Sequence, residues 1–399
     1  MEIRPIKKEE YAAAQILMAH AFFMPYNYLQ ESKDAEAEQS DQWRIIRGAF
    51  EGDTLQACTT LLPMDAWYEG KVVGFGAVQG VACLPEYRRG GRIRALMLSV
   101  LEEMYERGDV FSFLYPFSYM FYRKFGYEVN QRLLRTKAPL ADLLRWERPG
   151  HARQFLPECI GGESDPMDIV EVYNLWAARQ NLSVDRDGSL WRRHLEKSPT
   201  SGDSIRTYVW YSPKDVACAY IQFSRKDHSL IVQDFAWSNK EGLYGMLGFM
   251  GRLGGSNSLQ HIQWDMAEDI APELFWPETH DLETEQIYHG MARVIHVERA
   301  LGLLHAPTGS ADVTIEVSDE QLPVNTGIYR VCWSDGSLSV KRTQSPANLR
   351  VSIPALTQML SGFLPFAQIA LREDVTLFEN GSAFAALFPK RSCSTRDYF

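Results

Sequence analysis

The sequence predicts an α+β protein with mixed α/β sheets in three successive units, and three observations carry that prediction. An apolar strand, an arginine- and glycine-rich turn and an amphipathic helix follow one another from Val81 to Gly108. A strand, turn and helix return in the same order between Leu230 and Leu253, without the arginines. From Met291 onward, alternating strands give way to helices, as in a sheet layered against helices.

The first unit opens with Ile3-Arg4-Pro5-Ile6, an edge strand that tolerates its proline. Lys7-Lys8-Glu9-Glu10 then leads into an Ala-rich helix through about His20. Ala66 to Val73 reads as a hairpin turned at Glu69-Gly70. The strand at Val81 to Leu84 stops at Pro85, and Ile93, Leu96, Met97, Val100, Leu101 and Met104 then recur at helical spacing. A second apolar strand, Phe111 to Tyr115, is broken by Pro116, and the aromatic segment SYMFYRKFGYE runs from Ser118 to Glu128. Most aromatics of that segment are core. Over roughly the first 150 residues the order is β, α, α, β, β, β, α, β, α, β, at the size of one domain.

The helix opened by the arginine turn presents unpaired backbone N–H groups and the positive end of its dipole. With Arg88, Arg89 and Arg92, those donors make a place for a pyrophosphate. The string is equally compatible with a surface turn before a core helix. Neither a Gly-Lys-Ser/Thr ending nor three glycines at dinucleotide offsets is present, so a P-loop and a dinucleotide fingerprint are excluded. Gly76 and Gly80 suit a strand that bends or is closely approached.

Glu147-Arg148-Pro149-Gly150 reads as a boundary. A helix at Met167 to Gln180 follows, then strands at Thr207 to Trp210, Ala217 to Ser224 and Leu230 to Trp237, a helix at Gly242 to Leu253 and a strand at His261 to Met266. The third unit has a strand leading into a short helix at Val294 to Leu304. Its strands are Ala311 to Val317, Gly327 to Trp333 and Leu338 to Lys341, turned at Asn325-Thr326-Gly327 and Asp335-Gly336. Helices at Ile353 to Ser361, Pro365 to Arg372 and Asn380 to Leu387 complete it.

Composition limits the function. With 399 residues, 45% of them hydrophobic, the chain can bury large cores in two or three domains. No apolar run approaches the roughly 20 residues of a membrane span, and MEIRPIKKEE holds no signal-type apolar region. Cys58, Cys83, Cys159, Cys218, Cys332 and Cys393 form no CxxC pair and read as reduced thiols of a cytoplasmic protein. Neither His289 and His296 nor any HExxH-type spacing suggests a metal. The net charge of −10 argues against nucleic acid and suits a cationic partner. Glu31, Asp34, Glu36, Glu38 and Asp41 either attract such a partner or form a solvated face.

Arg88-x-x-Gly91 resembles the acyl-CoA signature of the GNAT superfamily of N-acyltransferases, Gln/Arg-x-x-Gly-x-Gly/Ala, with Ile93 in place of the last small residue. FYRKFGY resembles the later GNAT signature, and the first-unit element order is similar to the GNAT order. The third unit resembles the sterol-carrier-protein fold. With a motif-poor second GNAT-like unit and an aromatic last residue, the whole chain resembles the Eis (enhanced intracellular survival) acetyltransferases.

That resemblance implies two tandem GNAT-like domains, residues 1–146 (catalytic) and 147–289 (degenerate), and a sterol-carrier-protein-like domain at 290–399. It implies acetyl-CoA as co-substrate, no metal, an aminoglycoside amine as acceptor and a hexamer. A protein lysine or a polyamine is the alternative acceptor, and a lipid- or protein-binding module with a vestigial transferase is the alternative of another class. Val81, Ala82 and Cys83 would offer backbone to the pantetheine, and Arg88, Arg89, Gly90, Gly91 and Arg92 would hold the pyrophosphate. Tyr122 matches the general acid for the departing thiolate, and the carboxylate of Phe399 matches the base. At the penultimate position, acidic in a branch of the family, stands Tyr398, with Asp397 one residue earlier. Phe22, Phe23, Tyr26, Trp43 and Tyr115 are walls of the acceptor pocket or ordinary packing. Transfer would be direct, in a ternary complex, since no cysteine nucleophile with a base is evident.

Overall fold

Four strands form an antiparallel meander at the start of the chain: β1 (Glu2–Pro5), β2 (Ile45–Glu51), β3 (Thr54–Tyr68) and β4 (Lys71–Cys83). The structure is a computed structural model describing residues 1–24, 44–156, 166–195, 205–254 and 258–398. The predicted second helix, the acidic run, Tyr26, Trp43 and Phe399 lie outside the described residues. β3 and β4 turn at Glu69-Gly70, as the hairpin pattern predicts. Helix α1 (Tyr11–Phe22) sets Ala14 and Leu17 against Phe50, Cys58 and Ala82. Helix α2 (Arg92–Arg107) buries Leu96, Met97, Val100, Leu101 and Met104, the residues whose spacing predicts it. Burying such side chains stabilises the fold by about 1.5–3 kcal/mol each.

The chain packs as two units. The first holds Met1–Asn130, Gly290–Arg391 and Asp397–Phe399; the second holds Gln131–His289 and Ser392–Arg396. In the first, β4 runs parallel to β5 (Phe111–Leu114), and Met291–Val294 pairs antiparallel on the far side of β5. A second sheet of this unit takes the strands Ser337–Thr343, Gly327–Ser334, Ala311–Ser318, Leu349–Ser352 and Val375–Leu377 in that order. Helix Ile353–Ser361 follows strand Leu349–Ser352 directly, its first turn capped by the Ser352 hydroxyl, which accepts from the Ala355 N–H.

In the second unit the strand order is Glu128–Pro139, His261–Ala267, Ser229–Trp237, Ala217–Lys226, Arg206–Tyr211 and His151–Phe155. Ser229–Trp237, helix Lys240–Leu253 and the parallel strand His261–Ala267 repeat the β4, α2, β5 order. Here a side chain caps the helix N-terminus. Asn239 Oδ1 accepts from Gly242 N at 2.8 Å, and Arg179 donates to the carbonyls of Trp237 and Ser238. A helix end capped in this way offers an anion fewer of its backbone donors.

Candidate active site

β4 diverges from β5 at one place. The two pair at Phe75–Ala77 with Phe111–Phe113, and β4 then continues to Cys83 alongside β3 alone among the described residues. A bulge bends it there: Thr59 of β3 faces both Gly80 and Val81, and Gly80 has φ +59°, the left-handed region that favours glycine. A Cβ on Gly80 would also lie 2.9 Å from Met18 Sδ. The strand predicted to offer its backbone, Val81 to Cys83, is therefore the segment released from the ladder on one side.

Pro85–Tyr87 forms a single helical turn, and Arg88 to Gly91 lead into α2 with Gly91 as its N-cap. No side chain caps that end. Among the described residues the backbone N–H groups of Gly91, Arg92, Ile93 and Arg94 have no acceptor, in contrast to the capped helix of the second unit. Arg88 and Arg89 are exposed, and Arg88 Nε reaches the Cys83 carbonyl at 3.4 Å. Arg92 is placed differently. Its guanidinium donates to Gln56 Oε1, to the Tyr87 carbonyl at 3.1 Å and to Glu51 at 3.4 Å, so the side chain braces the turn. Arg94, exposed in the same first turn, was absent from the predicted set; its place in the first turn of α2 is the signal that could have found it.

Tyr122 sits on helix α3 (Tyr119–Arg123), whose first turn is capped by Ser118 Oγ accepting from Phe121 N at 3.4 Å. Its ring is 3% exposed and packs edge-on against Phe117, Phe121 and Tyr127. Burial pushes its phenol well above the ordinary tyrosine range. Its hydroxyl makes no hydrogen bond to a described residue, whereas Tyr127 donates to Ser112 Oγ at 2.7 Å and Ser112 donates to the Gly76 carbonyl. Of the two buried phenols, Tyr127 has a described hydrogen-bond partner and Tyr122 has none.

Tyr115 donates to the Asp397 carbonyl at 2.8 Å and stacks on Tyr398. Asp397 is buried and Tyr398 exposed. The segment just before them is held in the second unit: Thr395 donates to the Leu182 carbonyl, and Arg396 donates to Asp234 and the Phe235 carbonyl and lies 3.8 Å over Trp176. Phe22, predicted as a pocket wall, is half exposed at the end of α1. A cavity of about 890 Å³ beside α1, lined by Ile16, Leu17, Phe23, Phe50 and Leu84, includes Phe23 of the predicted walls and neither Tyr122 nor the Arg88 to Arg92 turn.

Residues 2–130 match a family model described as an acetyltransferase (GNAT) domain, residues 182–294 match a second model of that description, and residues 297–394 match a sterol carrier protein domain. Over 154 residues the chain is 29% identical to an uncharacterized N-acetyltransferase of Streptomyces griseus, covering 36% of this chain and 35% of that protein. The match thus spans about a third of the length of the curated relative. The fold is similar to that of a probable N-acyltransferase from Enterococcus faecalis, with a TM-score of 0.85 and 20% identity over 100% of this chain and 99% of that one. A GCN5-related N-acetyltransferase from Anabaena variabilis gives 0.84 at 20% identity, and Eis1 from Mycobacterium abscessus 0.79 at 21%, each over 100% of both chains. The chain is built of two GNAT acetyltransferase domains followed by a sterol carrier protein domain.

Proposed function

We propose that the protein is an acetyl-CoA-dependent N-acetyltransferase whose first GNAT domain is catalytic and whose acceptor is a polycationic amine of the aminoglycoside class. The observation that carries this reading is the uncapped N-terminus of α2, with exposed Arg88 and Arg89, beside the segment of β4 that has left β5. Acetyl-CoA would supply a thioester already reactive toward a neutral amine. The chain's own contribution is then positional and electrostatic. The Gly91 to Arg94 N–H groups and the Arg88 and Arg89 side chains suit a pyrophosphate. Val81 to Cys83 suits the pantetheine amides, with a backbone N–H there to polarise the thioester oxygen.

Tyr122 acts as the general acid in this reading. Its proton stays in place at neutral pH because burial disfavours the phenolate. In a chain that ends at Phe399, the terminal carboxylate is the proton acceptor, and the bonds from Tyr115 to the tail support a docked terminus. The net charge of −10 favours a cationic acceptor. The aminoglycoside class and the assembly into hexamers rest on the resemblance to the Eis transferases.

Thiol release from acetyl-CoA with kanamycin as acceptor tests the reading, comparing the untagged chain with one lacking Phe399. Turnover in the first and its loss in the second, at unchanged acetyl-CoA affinity, supports it. Acetyl-CoA binding without turnover of kanamycin sinks the acceptor assignment, and polyamines and lysine peptides are then the acceptors to assay.

A further inference from the structure

We propose that Arg293 is a positioning residue for Tyr122, and that the sterol carrier protein domain serves the first GNAT domain by holding Arg293 in place through Asp319. The proposal rests on Tyr122 as the general acid. Arg293 lies on the strand beside β5 and is fully buried, a costly place for a guanidinium unless its charge is paired. One end of it donates to the Phe125 carbonyl at 2.5 Å. The other donates to both oxygens of Asp319 at 2.8 Å each.

Phe125 belongs to the turn that fixes Tyr122. Phe125 N and Tyr127 N both donate to the Tyr122 carbonyl, at 2.9 and 3.3 Å. Gly126 between them has φ +81°, and a Cβ there would lie 2.0 Å from Arg293 Nη1 and 3.2 Å from Ile353 Cγ2. The backbone of this turn therefore rests directly on the guanidinium. Asp319 is in turn fixed by the Gln321 and Leu322 N–H groups and by Asn325 Nδ2, which also donates to the Ile295 carbonyl.

The same domain grips the chain on the other side of the turn. Gln358 donates to the Val129 carbonyl at 2.6 Å, and Arg372 reaches Glu128, the carboxylate that also pairs with Arg123 of α3. Clamped before and after Gly126, α3 has one orientation available to its tyrosine. A domain that holds Arg293 through Asp319 and the Val129 carbonyl through Gln358 acts as the outer frame of the acid.

The experiment is a double-mutant cycle. Arg293→Met alone leaves Asp319 buried and uncompensated and can fail to fold, so the paired variant R293M/D319N is prepared beside it, and each is combined with Y122F. Steady-state kcat and KM are measured, with amide hydrogen exchange of residues 119–129. If Arg293 acts through Tyr122, the folded variant loses roughly tenfold or more in kcat with acetyl-CoA KM changed less than twofold, exchange speeds up at residues 125–127, and the kcat loss disappears in the Y122F background. A kcat loss that multiplies with that of Y122F, or a folded variant with wild-type kcat, overturns the proposal. Full activity of Y122F itself overturns the assignment of the acid, and with it any positioning role; the exchange data then report separately whether Arg293 holds the turn.

Discussion

The hydroxyl of Tyr115 donates to the main-chain carbonyl of Asp397 at 2.8 Å, and the ring of Tyr398 stacks on it with 4.8 Å between centroids. A residue at the end of β5 thereby takes hold of the chain two residues before Phe399. If the terminal carboxylate accepts the amine proton, Tyr115→Phe removes one hydrogen bond, about 1 kcal/mol, and lowers kcat roughly fivefold. Tyr115→Ala also removes the stacking and lowers it further. Acetyl-CoA affinity measured by calorimetry stays the same in both; an affinity loss would place Tyr115 in the acyl-donor site instead.

Tyr122→Phe keeps the packing against Phe117, Phe121 and Tyr127 and removes the proton. The expected result is a kcat reduced roughly 100-fold with acetyl-CoA binding retained. Product formation followed by mass spectrometry checks it.

The pH dependence of kcat follows from the direction of the Tyr122 shift. Burial raises its pKa, so the acid form persists as pH rises past the ordinary phenol range near 10. The rate should climb as the acceptor amine loses its proton and show no downturn around pH 10. A downturn there that Y122F removes would mean the phenol is solvated.

Arg88 and Arg89 are exposed while Arg92 is tied to Gln56, Tyr87 and Glu51, and the variants separate accordingly. Arg88→Ala and Arg89→Ala raise the acetyl-CoA KM and flatten its dependence on salt, with Tm unchanged. Arg92→Ala lowers Tm, by an amount corresponding to about 1–2 kcal/mol, because it takes the brace out of the turn.

Asp109 gives a stability test. Burial is the largest influence on it and lifts its pKa to about 6, against the pull of Arg107. A carboxyl raised in the folded state favours folding most below its unfolded pKa of roughly 4, and that contribution is lost as pH rises through about 6. Asp109→Asn should therefore raise Tm at pH 8 and leave it nearly unchanged at pH 4, measured by calorimetry.

Much of the architecture was legible because it is written in local periodicity. The apolar spacing from Ile93 to Met104 gave α2, and Ile353–Ser361 is a helix over the predicted residues. Glu69-Gly70 closed its hairpin, and the missing arginines before Lys240 marked the second copy, whose helix caps itself with Asn239. Turn chemistry, amphipathic spacing and helix ends act within a few residues, so a single sequence displays them.

What only the tertiary structure decided are pairings between distant positions. Thr59 opposite Gly80 and Val81 produces the bulge, and no pattern within either strand specifies that two residues face one. Arg92 looked like its neighbours in the string RRGGR, but Gln56 and Glu51, far upstream, set it apart. Arg293 and Asp319 carry no motif at all; each is an ordinary charged residue until burial removes the water that would otherwise satisfy it, and the other becomes its partner. The sequence alone determined the acyltransferase-type strand, turn and helix and the domain order, because these depend on local spacing. Folding alone decided which arginines brace the site and which face solvent, because that depends on which charges lose their water and what then stands within hydrogen-bond reach.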